Sequence, residues 1–339
     1  MIKINLITNE SLNFKNENYF CNNKEIKTLT EGLSTYCFTQ LFGRTSKKIK
    51  AHKILYKKIT HKKNIFSFLI LIYKEFKKEK CTYLVVSLSP YTFLSIILFK
   101  IFKKKYIILL RSDGFKEYKK ILGFFGPLIY KLIFSISTNN STLISCGEHI
   151  LRGKKGTVIR PSSLTDEWNK NINKPNFDQI KLLYVGRLRV EKGIFSLIKI
   201  IENIEKNIKF TIIGDDEKNQ KKSLDKRIFY KGIINNEIEL IKNYDENNIF
   251  ILPSYTEGYS MVIDEALSRM RPVIIFEEIK NIIGNRKGIF VCKRNKNDLM
   301  DTINFISKNY DDILKEIEKN QFTNKKIFVE NIFKKMCEL

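Results

Sequence analysis

The sequence predicts an α/β protein built from two doubly wound parallel-sheet domains, and three observations carry that expectation. Short apolar runs typical of buried strands alternate with stretches of helical apolar spacing along both halves of the chain. At 339 residues the chain exceeds the usual size of a single domain. Between the two series lies 160–179, which holds Pro161, Pro175 and several Asn and Asp residues, a linker composition. The expected parts are a first domain over 1–165, a second over 175–322, and a terminal helix over 323–339 with the option of crossing back to the first.

In chain order, 1–8 reads as a first strand and lacks the basic head and apolar body of a signal peptide, so secretion is not expected. Further strands are expected at 82–88, 105–110 and 141–146. The charge-free run 81–99 approaches the length of a membrane span. Its interior favours strand, turn and helix instead, because 82–88 is rich in β-formers, Ser89 suits an N-cap and Pro90 suits a first helical turn in a helix reaching 105. The second half is more regular, with strands expected at 181–185, 209–213, 228–231, 248–252 and 272–276, each followed by a helical pattern. From 298 onward two or three polar, lysine-rich helices follow.

Composition narrows the chemistry. The net charge is +25, from 61 basic and 36 acidic residues, and only eleven of the basic ones are arginine. Such a surface favours an anionic partner: nucleic acid, an anionic membrane or a phosphate-bearing substrate. No nucleic-acid-binding module is recognisable, and the positive charge is spread among lysines, so nucleic acid is the weakest of the three. Lysines cluster beside apolar, aromatic-rich runs in the first half only: Lys62 and Lys63 before 66–73, Lys103 to Lys105 after 96–102, and Lys116 to Lys120 before 121–130. This pattern suits attachment to an anionic leaflet, with buried core helices bearing solvated lysine ends as the plainer alternative. The six cysteines show no C-x-x-C pair and the three histidines (His52, His61, His149) no metal-ligand spacing, which argues against a zinc site, a disulfide framework and Cys/His nucleophilic chemistry.

Two segments carry site chemistry. In 181–193 a strand runs into a glycine turn and a helix through Ile194, Leu197, Ile198 and Ile201. Lys192 faces the positive end of that helix dipole, which is unfavourable unless an anion sits there; Arg187 would converge on the same anion, and a diphosphate is the natural candidate. In 253–265, Glu257 falls on a loop at a strand's carboxyl end and Glu265 inside the next helix, the crevice where open α/β sheets bind ligands. A chain with 36 acidic residues holds other Glu pairs at this spacing, so the pair gains its meaning from its neighbours. Gly214 with Asp215 and Asp216, and the turn at Gly232 and Ile233, stand at two further strand ends.

Taken together, the series Val185-Gly-Arg-Leu-Arg-Val-Glu-Lys-Gly193, Ile213-Gly-Asp215, Pro253-Ser-Tyr-Thr-Glu-Gly-Tyr-Ser-Met-Val-Ile-Asp-Glu265 and Arg271-Pro-Val-Ile274 resembles the donor domain of retaining glycosyltransferases of family 4. The resemblance implies the GT-B architecture: two Rossmann-like domains facing across a cleft, sugar nucleotide on the second and acceptor on the first. It implies that Arg187 and Lys192 hold the donor diphosphate and steady the leaving nucleotide in place of a metal ion. By the same resemblance Glu257 contacts the donor sugar, the backbone N–H groups of Gly258, Tyr259, Ser260 and Met261 lie near the phosphates, and Glu265 bonds the ribose. Apart from the resemblance, a nucleotide lying along this sheet edge would bring its base to the backbone at Gly232 and Ile233, with an ordinary βα loop as the alternative. The implied donor is a UDP- or GDP-sugar with no metal requirement. The basic, aromatic-rich first half adds the expectation of a polyprenyl-diphosphate-linked oligosaccharide or other lipid-linked acceptor of O-antigen, capsule or a related surface polysaccharide, handled by a cytoplasmic enzyme peripheral on the inner face of the membrane.

The chain departs from the family in three places. Gly258-Tyr-Ser260 stands where many members carry Gly-Phe-Gly, and Glu277-Glu-Ile-Lys280 replaces a common glycine pair. The first domain lacks the glycine pair after its first strand and the acceptor-side histidine; Asp113 occupies a comparable place, with a turn role beside Gly114 equally open. A GT-B sugar-nucleotide epimerase and a basic membrane- or nucleic-acid-binding protein are the rival readings.

Overall fold

The structure, a computed structural model, describes residues 2–48, 50, 52–56, 58–76, 81–214 and 223–339. The chain divides into two compact units, Met1–Ser163 with Thr323–Leu339, and Leu164–Phe322.

The first unit contains, in order, β1 (Lys3–Lys15), β2 (Asn18–Cys21), α1 (Lys24–Leu33), β3 (Phe38–Thr45), β4 (His52–Ile54), β5 (Ile59–Lys62), α2 (Ile65–Glu75), β6 (Thr82–Val86), α3 (Pro90–Ile101), β7 (Tyr106–Leu110), α4 (Gly114–Leu122), α5 (Gly126–Thr138), β8 (Thr142–Ser145), α6 (Glu148–Leu151) and β9 (Thr157–Val158). Its parallel strands lie in the order β5-β3-β1-β6-β7-β8-β9, so the chain winds outward from β1 in both directions, and β2 and β4 extend the sheet antiparallel beyond the end of β1. The four strands of the expected first series are present. The helix expected to reach 105 stops at Ile101, because the next strand begins at Tyr106; Ser89 and Thr92 form a capping box at its start, with Pro90 in the first turn. One sheet face packs Ile4, Leu6, Leu84 and Leu109 against Ile26, Leu29 and Leu33 of α1. On the other face Tyr83 stacks on Phe99 of α3, with ring centroids 4.3 Å apart.

The second unit contains β10 (Ile180–Val185), α7 (Ile194–Glu202), β11 (Ile208–Ile213), β12 (Ile228–Gly232), α8 (Glu237–Asp245), β13 (Ile249–Leu252), α9 (Met261–Ser268), β14 (Val273–Phe276), β15 (Ile289–Cys292), α10 (Lys296–Lys308) and α11 (Tyr310–Ile317). The last helix, α12 (Lys325–Cys337), belongs to the first unit. The sheet order is β12-β11-β10-β13-β14-β15 with every pairing parallel. That order reverses between β10 and β13, the switch point at which loops from neighbouring strands part to leave a crevice. A strand absent from the sequence reading, β15, closes one edge, and a short 3-10 segment over Glu277–Ile282 stands where a helix was expected after 272–276. Asp215 and Asp216, and much of the stretch expected to follow 209–213 as a helix, lie outside the described residues.

The stretch 160–179 is largely not a free linker. From Leu164 onward it packs on the second unit, where Trp168 is fully buried and its indole N–H donates to Glu237 Oε1 at 2.9 Å. Two buried arginines hold it. Arg269 donates to the carbonyls of Trp168, Lys170 and Asn171 and pairs with Asp245 at 2.6 Å; Arg271 donates to the carbonyls of Asn173, Tyr244, Asn247 and Asp245. Prolines and asparagines make the segment look loose in sequence, but its exposed carbonyls are satisfied by guanidinium groups from a hundred residues away. All six cysteines are free, and burial pushes the Cys21 and Cys292 thiols up to about 12, so neither is poised as a nucleophile.

Candidate active site

The switch point of the second unit brings two loops together. The first follows β10 through Gly186 to Gly193, and the second follows β13 from Pro253 to Ser260. They are tied by a backbone bond from Tyr255 N–H to Glu191 O at 3.0 Å. Gly193 has φ +66°, and a Cβ there would lie 1.8 Å from the Pro253 carbonyl oxygen. Only glycine permits this approach. Gly193→Ala is accordingly expected to cost about 2 kcal/mol or more in urea unfolding and to lower activity with it, because the clash separates the loops.

The approach places Lys192 Nζ 2.6 Å from Glu257 Oε1, and Ser254, fully buried, donates to the same oxygen at 2.7 Å. Two residues read from separate motifs, 65 positions apart, therefore form one partly buried ion pair. Arg187 is exposed, and among the described ion pairs no carboxylate engages its guanidinium. Its carbonyl accepts the Tyr184 hydroxyl at 2.8 Å; burial, then the nearby Glu257 charge, pushes that phenol well above its usual range, so it remains a donor.

Glu265 lies inside α9 and is 2% exposed, with Oε2 accepting the Tyr244 hydroxyl at 2.9 Å. Ser260 stands at the N-cap of α9 without a side-chain bond to the first turn, so the helix presents backbone N–H groups beside Gly258, Tyr259 and Met261. The Tyr259 hydroxyl donates to Asp264 Oδ2 at 2.5 Å, and Arg286 donates to Asp264 Oδ1 at 2.8 Å while lying 4.9 Å over the Tyr259 ring. At Gly258-Tyr-Ser260 a bond from tyrosine thus fixes the loop onto the helix that follows it. Gly232, at φ +68°, ends β12 with open space around it, and Ile233 beside it is exposed.

Sequence reasoning missed Arg294. Its guanidinium donates to Pro253 O at 2.9 Å, Ser196 Oγ at 3.0 Å and Glu278 at 2.8 Å, and stacks 4.1 Å from the Tyr255 ring centroid. It braces the Glu257 loop against α7 from beneath. Asp113, in the first unit, is the N-cap of α4: Oδ1 accepts the Phe115 N–H at 3.2 Å, and both oxygens accept from Arg152 at 2.8 and 2.9 Å. Its carboxylate is engaged by the turn and by Arg152. His149 lies on the short α6, and burial lowers its imidazole below the usual range.

A cationic pair and a glutamate at the switch point of a Rossmann sheet fit a phosphate-bearing ligand, and residues 179–309 match the model of the family described as glycosyl transferases group 1. The second unit carries a group 1 glycosyl transferase domain. Curated relatives agree over this stretch. The chain is 29% identical over 141 residues to TuaC of Bacillus subtilis, a glycosyltransferase named for teichuronic acid biosynthesis, covering 41% of the chain and 35% of that protein. It is 30% identical over 145 residues to the capsular polysaccharide biosynthesis glycosyltransferase CapM of Staphylococcus aureus, covering 39% of the chain and 37% of CapM. The matched parts thus span little more than a third of either relative. Among solved structures, HepE of Anabaena in complex with UDP-glucose superposes with a TM-score of 0.72 at 11% identity, over 100% of both chains. The glycosyl transferase domain and the unit before it together have the GT-B fold.

Proposed function

We propose that this chain is a retaining glycosyltransferase that moves a sugar from a nucleoside diphosphate donor to a lipid-linked saccharide in the synthesis of a bacterial surface polysaccharide. The observation that carries the reading is the Lys192–Glu257 pair held at 2.6 Å at the switch point of the second sheet. On donor entry the ammonium of Lys192 exchanges its carboxylate for phosphate oxygens, and Glu257 is released to accept hydrogen bonds from the sugar hydroxyls. Arg187 adds a second positive group, and the first N–H groups of α9 add fixed dipoles. Charge develops on the diphosphate as the anomeric bond breaks, so groups aimed at that oxygen lower the barrier to departure. Glu265 takes the ribose hydroxyls, and the backbone at Gly232 and Ile233 meets the base. The acceptor hydroxyl attacks on the face the nucleotide leaves, which retains the anomeric configuration.

The polysaccharide names of the matched relatives support the acceptor class, and the lysine-rich, aromatic first unit supports an acceptor held at the inner face of the membrane. Labelled UDP- and GDP-sugars incubated with membranes containing lipid-linked saccharides test the proposal directly. Sugar is expected to enter the lipid fraction, with full activity in a chelator because the positive pair supplies the charge. Donor consumption with no glycosylated lipid would contradict it.

A further inference from the structure

The apolar stretch from Gly114 to Thr138 is long and apolar enough, by composition, to cross a membrane, with one-third of it buried. Its conformation rules against crossing. α4 ends at Gly123, where φ is +62°, and after one 3-10 turn α5 leaves from Gly126. The two helices form a hairpin. Gly126 packs so closely that a Cβ would lie 2.0 Å from the Tyr118 carbonyl oxygen. At 1.5 Å per residue the thirteen residues of α5 reach about 20 Å, short of a bilayer core of about 30 Å.

The root of the hairpin is rigid and its tip is bare. Tyr130 and Phe134 are buried, Phe115 packs edge-on to Tyr130 at 4.9 Å, and Arg152 lies 4.7 Å over Phe115 while gripping Asp113. The tip exposes Phe124 at 83% and Phe125 at 66%, with Ile121, Leu128 and Leu132 beside them. Isolated exposed leucines need no explanation, but two phenylalanines held outward by a packed root do. Along the hairpin stand exposed Lys116, Lys119, Lys120 and Lys131 against one acid, Glu117, with Lys119 and Lys120 in the last turn of α4 beside the tip.

The geometry points to the α4–α5 hairpin as a membrane-docking element that seats Phe124 and Phe125 among the acyl chains of an anionic leaflet, with its lysines on the headgroups. Charge selects the occupant. A second copy would bring the same lysines against themselves on a chain of net charge +25. A protein partner would ordinarily be met by a surface poor in lysine, whereas lysines flanking aromatics complement anionic lipid. The inference rests on the proposed lipid-linked acceptor for its purpose, though the docking itself needs neither donor nor acceptor.

Flotation of the full chain with vesicles of phosphatidylcholine, alone or with about one-third phosphatidylglycerol, tests it. Wild type is expected to float with the anionic vesicles and weakly with the neutral ones. F124S/F125S is expected to lose about tenfold or more in partition with an unchanged Tm, and K116Q/K119Q/K131Q to lose the preference for anionic lipid. Flotation of F124S/F125S equal to wild type overturns the proposal, as does failure of wild type to float. So does a wild-type dimer that F124S/F125S converts to monomer without vesicle binding. Transfer to a detergent-dispersed acceptor separates the two readings: its loss in wild type that still floats counts against the transferase proposal alone, and its persistence in wild type that does not float counts against the hairpin alone.

Discussion

Lys192→Ala is expected to lower kcat/KM for sugar transfer by about 10²- to 10³-fold, most of it in kcat. Lys192 sits where Gly193 presses its loop onto Pro253, and this approach of the two loops brings its ammonium to the Glu257 carboxylate. Removing it takes away a charge aimed at the leaving diphosphate, and also leaves the Glu257 carboxylate, bonded to Ser254, facing an incoming anion. Both effects grow as negative charge develops in the transition state. Glu257→Gln keeps a group that Ser254 can reach and removes the repulsion, so the double variant is expected to recover part of the affinity for nucleotide but not the rate. Steady-state kinetics at several donor concentrations, with nucleotide binding measured separately, resolve the two contributions. A kcat/KM within about threefold of wild type would remove Lys192 from the proposed site.

Arg271→Ala is expected to produce the largest loss of stability, about 3 to 5 kcal/mol in the second unit. The side chain is 1% exposed and supplies hydrogen bonds to the carbonyls of Asn173, Tyr244, Asn247, Asp245 and Arg269, so alanine leaves several buried acceptors without donors and opens a cavity. Burial pushes its guanidinium down to about 10, with the Asp245 charge acting the other way, and it is therefore charged at neutral pH. Lysine supplies three donors from one nitrogen and cannot span the fork, so Arg271→Lys should recover less than half of the loss. The single tryptophan, Trp168, is held by the neighbouring Arg269, and its fluorescence in urea reports on this segment directly. A loss below about 1 kcal/mol would mean that water replaces these bonds at little cost.

What could be read from the sequence follows from where each feature stores its information. The central parallel strands of both sheets include runs of four apolar residues buried on both faces, such as Ile107 to Leu110 and Ile249 to Leu252, and such runs are visible locally. β3, β4 and β5 were not, because Gln40, Gly43 and Arg44 interrupt one and the others are three or four residues of mixed polarity toward the edge of the sheet. Arg187, Lys192, Glu257 and Glu265 were identifiable from their motifs, but the contact between Lys192 and Glu257 depends on Gly193 meeting Pro253 across sixty residues. Arg294 was hidden for a different reason. It sits between Lys293 and Asn295 in a stretch that reads as solvated charge, and only the fold turns it inward under the Glu257 loop. Arg269 likewise declares nothing until the carbonyls of Trp168, Lys170 and Asn171 are brought to it.

The helix α12 has a consequence for how the molecule is made. Phe328, Val329, Ile332 and Met336 complete the core against α1, and Val329 fills the space over Gly32 so closely that a Cβ there would lie 2.6 Å from it. Synthesis proceeds from the amino terminus, so the first unit leaves the ribosome with the apolar stripe of Ile26, Leu29 and Leu33 uncovered while some 160 further residues are added. The second unit, whose residues are contiguous, can finish folding before the first. The part of the chain translated earliest is thus sealed last, and a stop codon between the second unit and α12 would damage the amino-terminal sheet more than the domain it directly follows.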